Sequence, residues 1–399
     1  MKEVVFIDGV RSAFTKLGGG LRTLAASDIA AFVVKGLLEK TQILSRTHVD
    51  GLFAGCALSD IQCFSPARYA VLASGLPIET PASFVEMQCG SAITSINHAA
   101  AKIATGLADI IIAGGMESYS TMPAFFSLTQ EPYKLIPPTA LPRKLAPMPE
   151  DDISMIDANE LAAGKWGITR EACDVFALES QQRLQNAYTS GITGSEIIPY
   201  TIPATRKTPE RIINTDEHPR PDTTKIKLAE LRSVKANGVT TAGNASGRND
   251  GAAFVLMMSA EKARELGYTP LARWVTGADC GCHPREVLVA PVFSNFKAMK
   301  QAGITLDELD VIECNEAFAA QNLCVISEME SQSGKKIDMK KWNPNGGAIA
   351  IGHPNAASGA RIAMFAMRHL EKTGGRYGLF SSCCGGGQGV TTIIENLRV

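Results

Sequence analysis

A chain of 399 residues, 45% hydrophobic and 20% charged, with 36 Gly and 20 Pro, has a globular composition and exceeds what one core usually serves. That excludes a coiled coil or a disordered chain. With 39 basic and 40 acidic residues interspersed, the net charge of −1 gives no field to draw nucleic acid or an anionic membrane, so neither is expected as a partner.

In chain order, Val4 to Ile7 reads as a strand and Ser27 to Leu38 as a helix with Ala31, Val34, Leu37 and Leu38 on one face. Gly51–Cys56 and Ala82–Met87 follow as strands, Pro66–Ser74 and Ser91–Gly106 as helices, and Asp109–Ala113 as a short apolar strand. This alternation predicts a layered α/β unit. From Ser118 to about Asn237 the regularity stops: Pro-rich segments surround one clear helix, Arg170–Gln185, which reads as an insertion over a site. Alternation resumes with Ala252–Met258, Ser259–Leu266, Leu271–Gly277, Ala290–Ala302, Val311–Cys314, Asn315–Glu330, Ser358–Thr373 and Tyr377–Ser382. The second half repeats the first half's grammar, so a duplication is expected.

The start, Met1 to Phe14, is too short in apolar content for a signal segment, and no stretch reaches membrane-spanning length, so a cytoplasmic protein is expected. Ten cysteines then suit free thiols rather than a disulfide framework. Cys280-Gly-Cys282-His283 has no second cluster at zinc-like spacing, and no metal is expected.

Three places carry chemistry. Cys89 follows a predicted strand and opens a helix, where unpaired N–H groups favour a thiolate; the alternative is a small buried hydrophobe. His353 ends Asn345-Gly-Gly-Ala-Ile-Ala-Ile-Gly-His353-Pro354, on a turn placed for proton transfer. Ser381-Ser-Cys383-Cys384-Gly-Gly-Gly-Gln-Gly389 ends a strand in a glycine loop whose N–H groups can face an anion.

With Ala113-Gly-Gly-Met-Glu-Ser118, Gly243-Asn-Ala-Ser-Gly247 and Asn315-Glu-Ala-Phe318, these motifs occur in family order, and the chain resembles the thiolase family over essentially its whole length. The resemblance implies two pseudo-symmetric, five-stranded α-β-α-β-α halves stacked face to face. It divides the chain into a first half (1–118 with 249–270), a loop domain over the site (119–248) and a second half (271–399). It implies that Cys89 carries the acyl group, His353 is its base, and Cys383 moves the α-carbon proton. One oxyanion site would use His353 and a water held by Asn315; the other would use the N–H groups of Cys89 and Gly385. Ser246 and Phe318 would meet coenzyme A and Arg220 its adenine, with acyl-CoA thioesters as substrates rather than a resident cofactor. A homodimer or homotetramer is expected. The implied activity is acetyl-CoA C-acetyltransferase on short 3-oxoacyl-CoA; the alternatives are a longer-chain 3-ketoacyl-CoA thiolase and a non-catalytic acyl-CoA-binding protein.

Some positions depart from the family pattern. Glu86 replaces the usual Asn and is expected to raise the Cys89 pKa by like-charge repulsion. Ala92 and Ala356 replace glycines, and Met155-Ile-Asp-Ala-Asn-Glu160 replaces a stretch that shapes the acyl pocket, leaving substrate preference open.

Overall fold

The computed structural model describes residues 1–127, 131–204, 206 and 208–398. Its strands are β1 (Val4–Arg11), β2 (Gly51–Gly55), β3 (Ala82–Val85), β4 (Ile110–Glu117), β5 (Asn249–Ser259), β6 (Ala272–Gly281), β7 (Leu309–Cys314), β8 (Tyr377–Cys384) and β9 (Gln388–Asn396). The helices that matter here are α1 (Ala26–Thr41), α2 (Pro66–Ser74), α3 (Ser91–Ala104), α4 (Met155–Trp166), α5 (Arg170–Thr189), α6 (Ala290–Ala302), α7 (Ala319–Ser333) and α8 (Ser358–Thr373).

The nine strands lie in the order β7-β8-β9-β6-β1-β5-β4-β2-β3, and the short strand Thr15–Lys16 pairs β5. Outward from the seam, the first half runs β1, β5, β4, β2, β3 and the second β6, β9, β8, β7. In both, two antiparallel pairings precede parallel ones. In place of a fifth strand the second half has an isolated parallel bridge from Ile312 to Trp342. The expected two five-stranded halves are therefore five strands and four, joined at their edges by two residue pairs, Val5↔Arg273 and Phe6↔Ala272.

Layering follows from burial. β5 is buried at every position, and its run Ala252–Met258 is wholly apolar, as a strand covered on both faces requires. One core cluster joins Ile93, Ile96 and Ile103 of α3 and Met364 and Phe365 of α8 to strand residues of both halves. These two helices are the central layer. α1 and α2 cover the outer face of the first half, and α6 and α7 that of the second.

Several elements differ from the sequence reading. Residues 315–318 are not helical: α7 begins at Ala319, because Asn315 N–H is bonded to Ser381 O and Phe318 is extended at φ −147°. The insertion holds a second helix, α4, whose N-cap Ser154 accepts from Asp157 N–H. β9 follows a three-residue glycine turn that reads as loop in sequence. Among the described residues no helix is long and apolar enough to cross a membrane.

Candidate active site

Cys89 lies in the one-turn helix Gln88–Gly90 that leads into α3. Gln88 holds φ +48°, a left-handed conformation that a non-glycine residue keeps only when its surroundings impose it. Ser91 imposes part of it, accepting from Met87 N–H at 2.9 Å and donating to Gln88 O at 2.7 Å. Glu86 adds the rest: its carboxylate accepts from Gln88 N–H (2.8 Å) and from the Gln88 side-chain amide (2.7 Å). The turn thus presents a partly buried thiol on a braced backbone.

The thiol's electrostatics run opposite to the thiolate expected at a helix N-terminus and in the direction expected of Glu86, although other groups are the larger causes. Burial first, then the charge of Glu117, push Cys89 up to about 12, and Glu86 contributes least because it is exposed and turned to Gln88. The helix N-terminus does not overcome this, so the resting thiol is protonated and needs a base.

His353 is buried, and desolvation followed by repulsion from Arg361 holds it down at about 3, so the imidazole is neutral. Its tautomer follows from its partners. Ser358 Oγ donates to Pro354 O at 3.2 Å and so accepts from His353 Nδ1–H at 2.7 Å, leaving the Nε2 lone pair as an acceptor. Asn315 Nδ2 lies 3.5 Å from that Nε2, while Asn315 Oδ1 has no partner among the described residues. His353 N–H bonds Asn249 Oδ1 at 2.9 Å, anchoring the second-half loop to a first-half strand.

Cys383 is fully buried at the end of β8, its pKa driven well above the ordinary thiol value by burial and then by the neighbouring Cys89, Cys384 and Cys314. The β8–β9 turn packs on the turn that carries Cys89. A methyl group on Gly385 would meet Leu145 Cδ2 at 3.2 Å and Gln88 Cγ at 3.3 Å, so this glycine permits the close approach, and the insertion closes over it. The turn Asn355–Ala357 after His353 packs against Gln88–Gly90, and a methyl on Gly359 would stand 2.7 Å from Ile93 N. The loops that enter α3 and α8 therefore meet head to head.

Two residues here were not singled out from sequence. Glu117, fully buried, accepts from Ala57, Leu58 and Ala356 N–H at 3.0–3.1 Å and from the Cys56 thiol, tying the His353 loop to the first half. Tyr119 donates to Asn355 Oδ1 at 3.0 Å, and its pKa is raised by burial and then by Cys89. The Ala-Gly-Gly-Met-Glu-Ser motif was the available signal for Glu117; Tyr119 had none.

Ser246 and Phe318 come together: Ser246 N–H bonds Ala317 O at 3.0 Å, and Ala245 bridges Phe318. Arg220 is exposed on a cleft of about 370 Å³ shared with Gln181, His218, Ala242, Gly243 and Ile349. His218 also abuts Gly247, so the cleft runs toward Ser246. All ten cysteines are free, and among the described residues no group of three His, Cys, Asp or Glu is placed to hold a metal.

Two thiols, a neutral imidazole and a long cleft are the equipment of an acyl transferase. The family patterns for the N-terminal and C-terminal thiolase domains match residues 4–261 and 268–396. The chain belongs to the thiolase family and is an acyltransferase of that family. It is 41% identical to a beta-ketoadipyl-CoA thiolase of Acinetobacter baylyi over 100% of both chains. It is 38% identical to an acetyl-CoA acetyltransferase of Thiocystis violacea over 99% of both. Its fold superposes on the acetyl-CoA acetyltransferase of Bacillus anthracis with TM-score 0.90 at 34% identity, covering 100% of this chain and 99% of that one. It also superposes on human mitochondrial 3-ketoacyl-CoA thiolase in complex with CoA, with TM-score 0.88 at 35% identity over 99% and 98% of the two chains.

Proposed function

We propose that the protein is an acetyl-CoA C-acetyltransferase acting reversibly on short 3-oxoacyl-CoA. In thiolysis, Cys89 Sγ gives its proton to His353 Nε2 and attacks the 3-oxo carbonyl, whose oxyanion is held beside His353 and Asn315. The C2–C3 bond breaks, and its electrons take a proton from Cys383, releasing acetyl-CoA. The thiol of free coenzyme A then gives its proton to the Cys383 thiolate and attacks the acyl-Cys89 thioester, whose oxyanion faces the N–H groups of Cys89 and Gly385; the C–S bond to Cys89 breaks, Cys89 takes its proton back from His353, and the shortened acyl-CoA leaves. The observation that supports this reading is the packing of three loops, Gln88–Gly90, Pro354–Ser358 and the β8–β9 turn, which carry both thiols and the imidazole, with Leu145 against Gly385. Coenzyme A would lie along the Arg220 cleft and pass Ser246 and Phe318.

A second reading, thiolysis of a 3-oxoacyl-CoA ending in a carboxylate such as 3-oxoadipyl-CoA, is favoured by Arg248. Its backbone bridges His353, it acts electrostatically on Tyr119, and its exposed guanidinium has no partner among the described residues. A carboxylate is the natural occupant of such a fork. Thiolysis rates with acetoacetyl-CoA, 3-oxoadipyl-CoA and a six- to eight-carbon unbranched 3-oxoacyl-CoA separate the readings. Fastest turnover of the first supports the acetyltransferase. Preference for the second that is lost in Arg248→Leu supports the dicarboxylate reading, and preference for the third overturns both.

The boundaries 1–118 with 249–270, 119–248 and 271–399 belong to this proposal, as does a homodimer or homotetramer. Supporting assembly, β3 is the sheet's edge and exposes Ser83 and Phe84, an unpaired row that a second copy can extend. Light scattering on Phe84→Lys tests it; unchanged mass would remove this surface from consideration.

A further inference from the structure

We infer that Glu313 and Arg361 form a buried clamp that positions His353, fixing strand β7 against helix α8 so that both imidazole nitrogens stay engaged. This rests on His353 being the base of the proposed reaction.

The two elements hold opposite edges of the ring. Asn315, facing Nε2, lies two residues after Glu313, and Ser358, accepting from Nδ1, lies one turn before Arg361 on α8. Glu313 Oε2 and Arg361 Nη1 are 3.7 Å apart, and both side chains are essentially inaccessible. Their polar groups serve nothing else. Both Glu313 oxygens and the Nε, Nη1 and Nη2 of Arg361 lack a hydrogen-bond partner among the described residues. An arginine this deep with no hydrogen bond is costly, and a carboxylate facing it is what makes the charge tolerable. The remaining contact of Arg361 is the Phe365 ring, 4.9 Å from the guanidinium carbon.

Charge supports the geometry. After burial, Arg361 is the group that pushes His353 toward neutrality, and Glu313 itself is raised to about 8 by burial. Glu316 and Arg183 also act on Glu313, and Glu316, Arg11 and Glu196 on Arg361, so the pair sits within a wider set of charges. Burial pushes the Glu313 carboxyl up and the Arg361 guanidinium down, and the repulsion of the guanidinium reaches His353.

The clamp is tested on the full-length protein by titrating His353 directly through ¹⁵N-histidine spectra, assigned with His353→Asn, alongside thiolysis. Arg361→Met should raise the protonation midpoint of His353. Arg361→Lys, which keeps the charge but loses the fork, should leave that midpoint near wild type and lower kcat about tenfold through misplacement of the ring. Should Arg361→Met not fold, Glu313→Gln combined with Arg361→Met removes both charges and reads the same shift. A midpoint that stays put once the charge is gone, or a Lys variant with wild-type kcat, would overturn the clamp. A shifted midpoint in a protein whose wild type turns over no 3-oxoacyl-CoA would leave the clamp standing and remove the proposed reaction.

Discussion

The loops that feed the two central helices stand at equivalent places in the two halves and do different chemistry. The one entering α3 carries Cys89, a partly buried thiol on a strained turn beside carboxylates. The one entering α8 carries His353, a buried imidazole beside a guanidinium. The same loop position is thus tuned in opposite senses: one environment suppresses the anion of a thiol, and the other suppresses the cation of an imidazole. Neither group is reactive by itself. Cys89 lacks the depressed pKa that would make a free thiolate, while His353 keeps the lone pair that can make one on demand. Activation therefore depends on the two loops meeting.

Removing the nucleophile breaks the comparison most completely. Cys89→Ala should cut thiolysis by about 10⁴-fold or more, since no other thiol is both reachable and placed on this turn. Mass spectrometry after acetoacetyl-CoA should then find no acyl adduct; an adduct on Cys383 or Cys384 would reassign the nucleophile.

Breaking the other loop should cost less. His353→Asn removes the proton acceptor and should lower kcat by roughly 10²- to 10⁴-fold. Alkylation of Cys89 by iodoacetamide at neutral pH should slow as well. Alkylation at the wild-type rate would mean that the imidazole does not activate the thiol.

A second pair of equivalent connections differs in length. Between β4 and β5 the chain makes its long excursion through residues 118–248, while between β8 and β9 the matching link is only residues 385–387. The short link must turn tightly, and it does so with Gly386 and Gly387, both at φ +87°. Gly385→Ala adds a methyl against Gln88 and Leu145 at 3.2–3.3 Å, and those neighbours must give by a few tenths of an ångström. A drop in kcat of roughly tenfold is expected, with KM changed little, because in the proposed mechanism the displaced N–H faces the reacting carbonyl rather than the coenzyme A tail. A rise in KM alone would place Gly385 outside the reacting centre.

What sequence could and could not reveal follows from the range of the interactions. α2, α6 and α8 were legible to the residue because their caps and apolar spacing are local, and the motifs around Cys89, His353 and Cys383 marked the loops that meet. Residues 315–318 read as helix because nothing local forbids it; bonds to residues far away in the chain, among them Ser381 and Ser246, hold them out of the helix. α4 hid among prolines although Ser154 and Asp157 form its cap. The main cause of the high Cys89 pKa was the deepest miss: the sequence points to Glu86, but burial and Glu117, which reaches the thiol only through the fold, contribute more.

Glu86 gives the smallest and most discriminating test of that last point. Its carboxylate is exposed, spends one oxygen on the backbone and side chain of Gln88, and ranks behind burial and Glu117 among the causes of the high Cys89 pKa. Glu86→Gln keeps an acceptor for Gln88 but removes the charge. Removing a like charge lowers a thiol pKa, so the iodoacetamide profile of Cys89 should move slightly to lower pH, with kcat within about twofold of wild type. Glu86→Ala removes the charge and the brace together. If the strained turn is what the carboxylate serves, only the Ala variant should lose activity; equal losses in both would mean that the charge, and not the bond to Gln88, is what the nucleophile's loop requires.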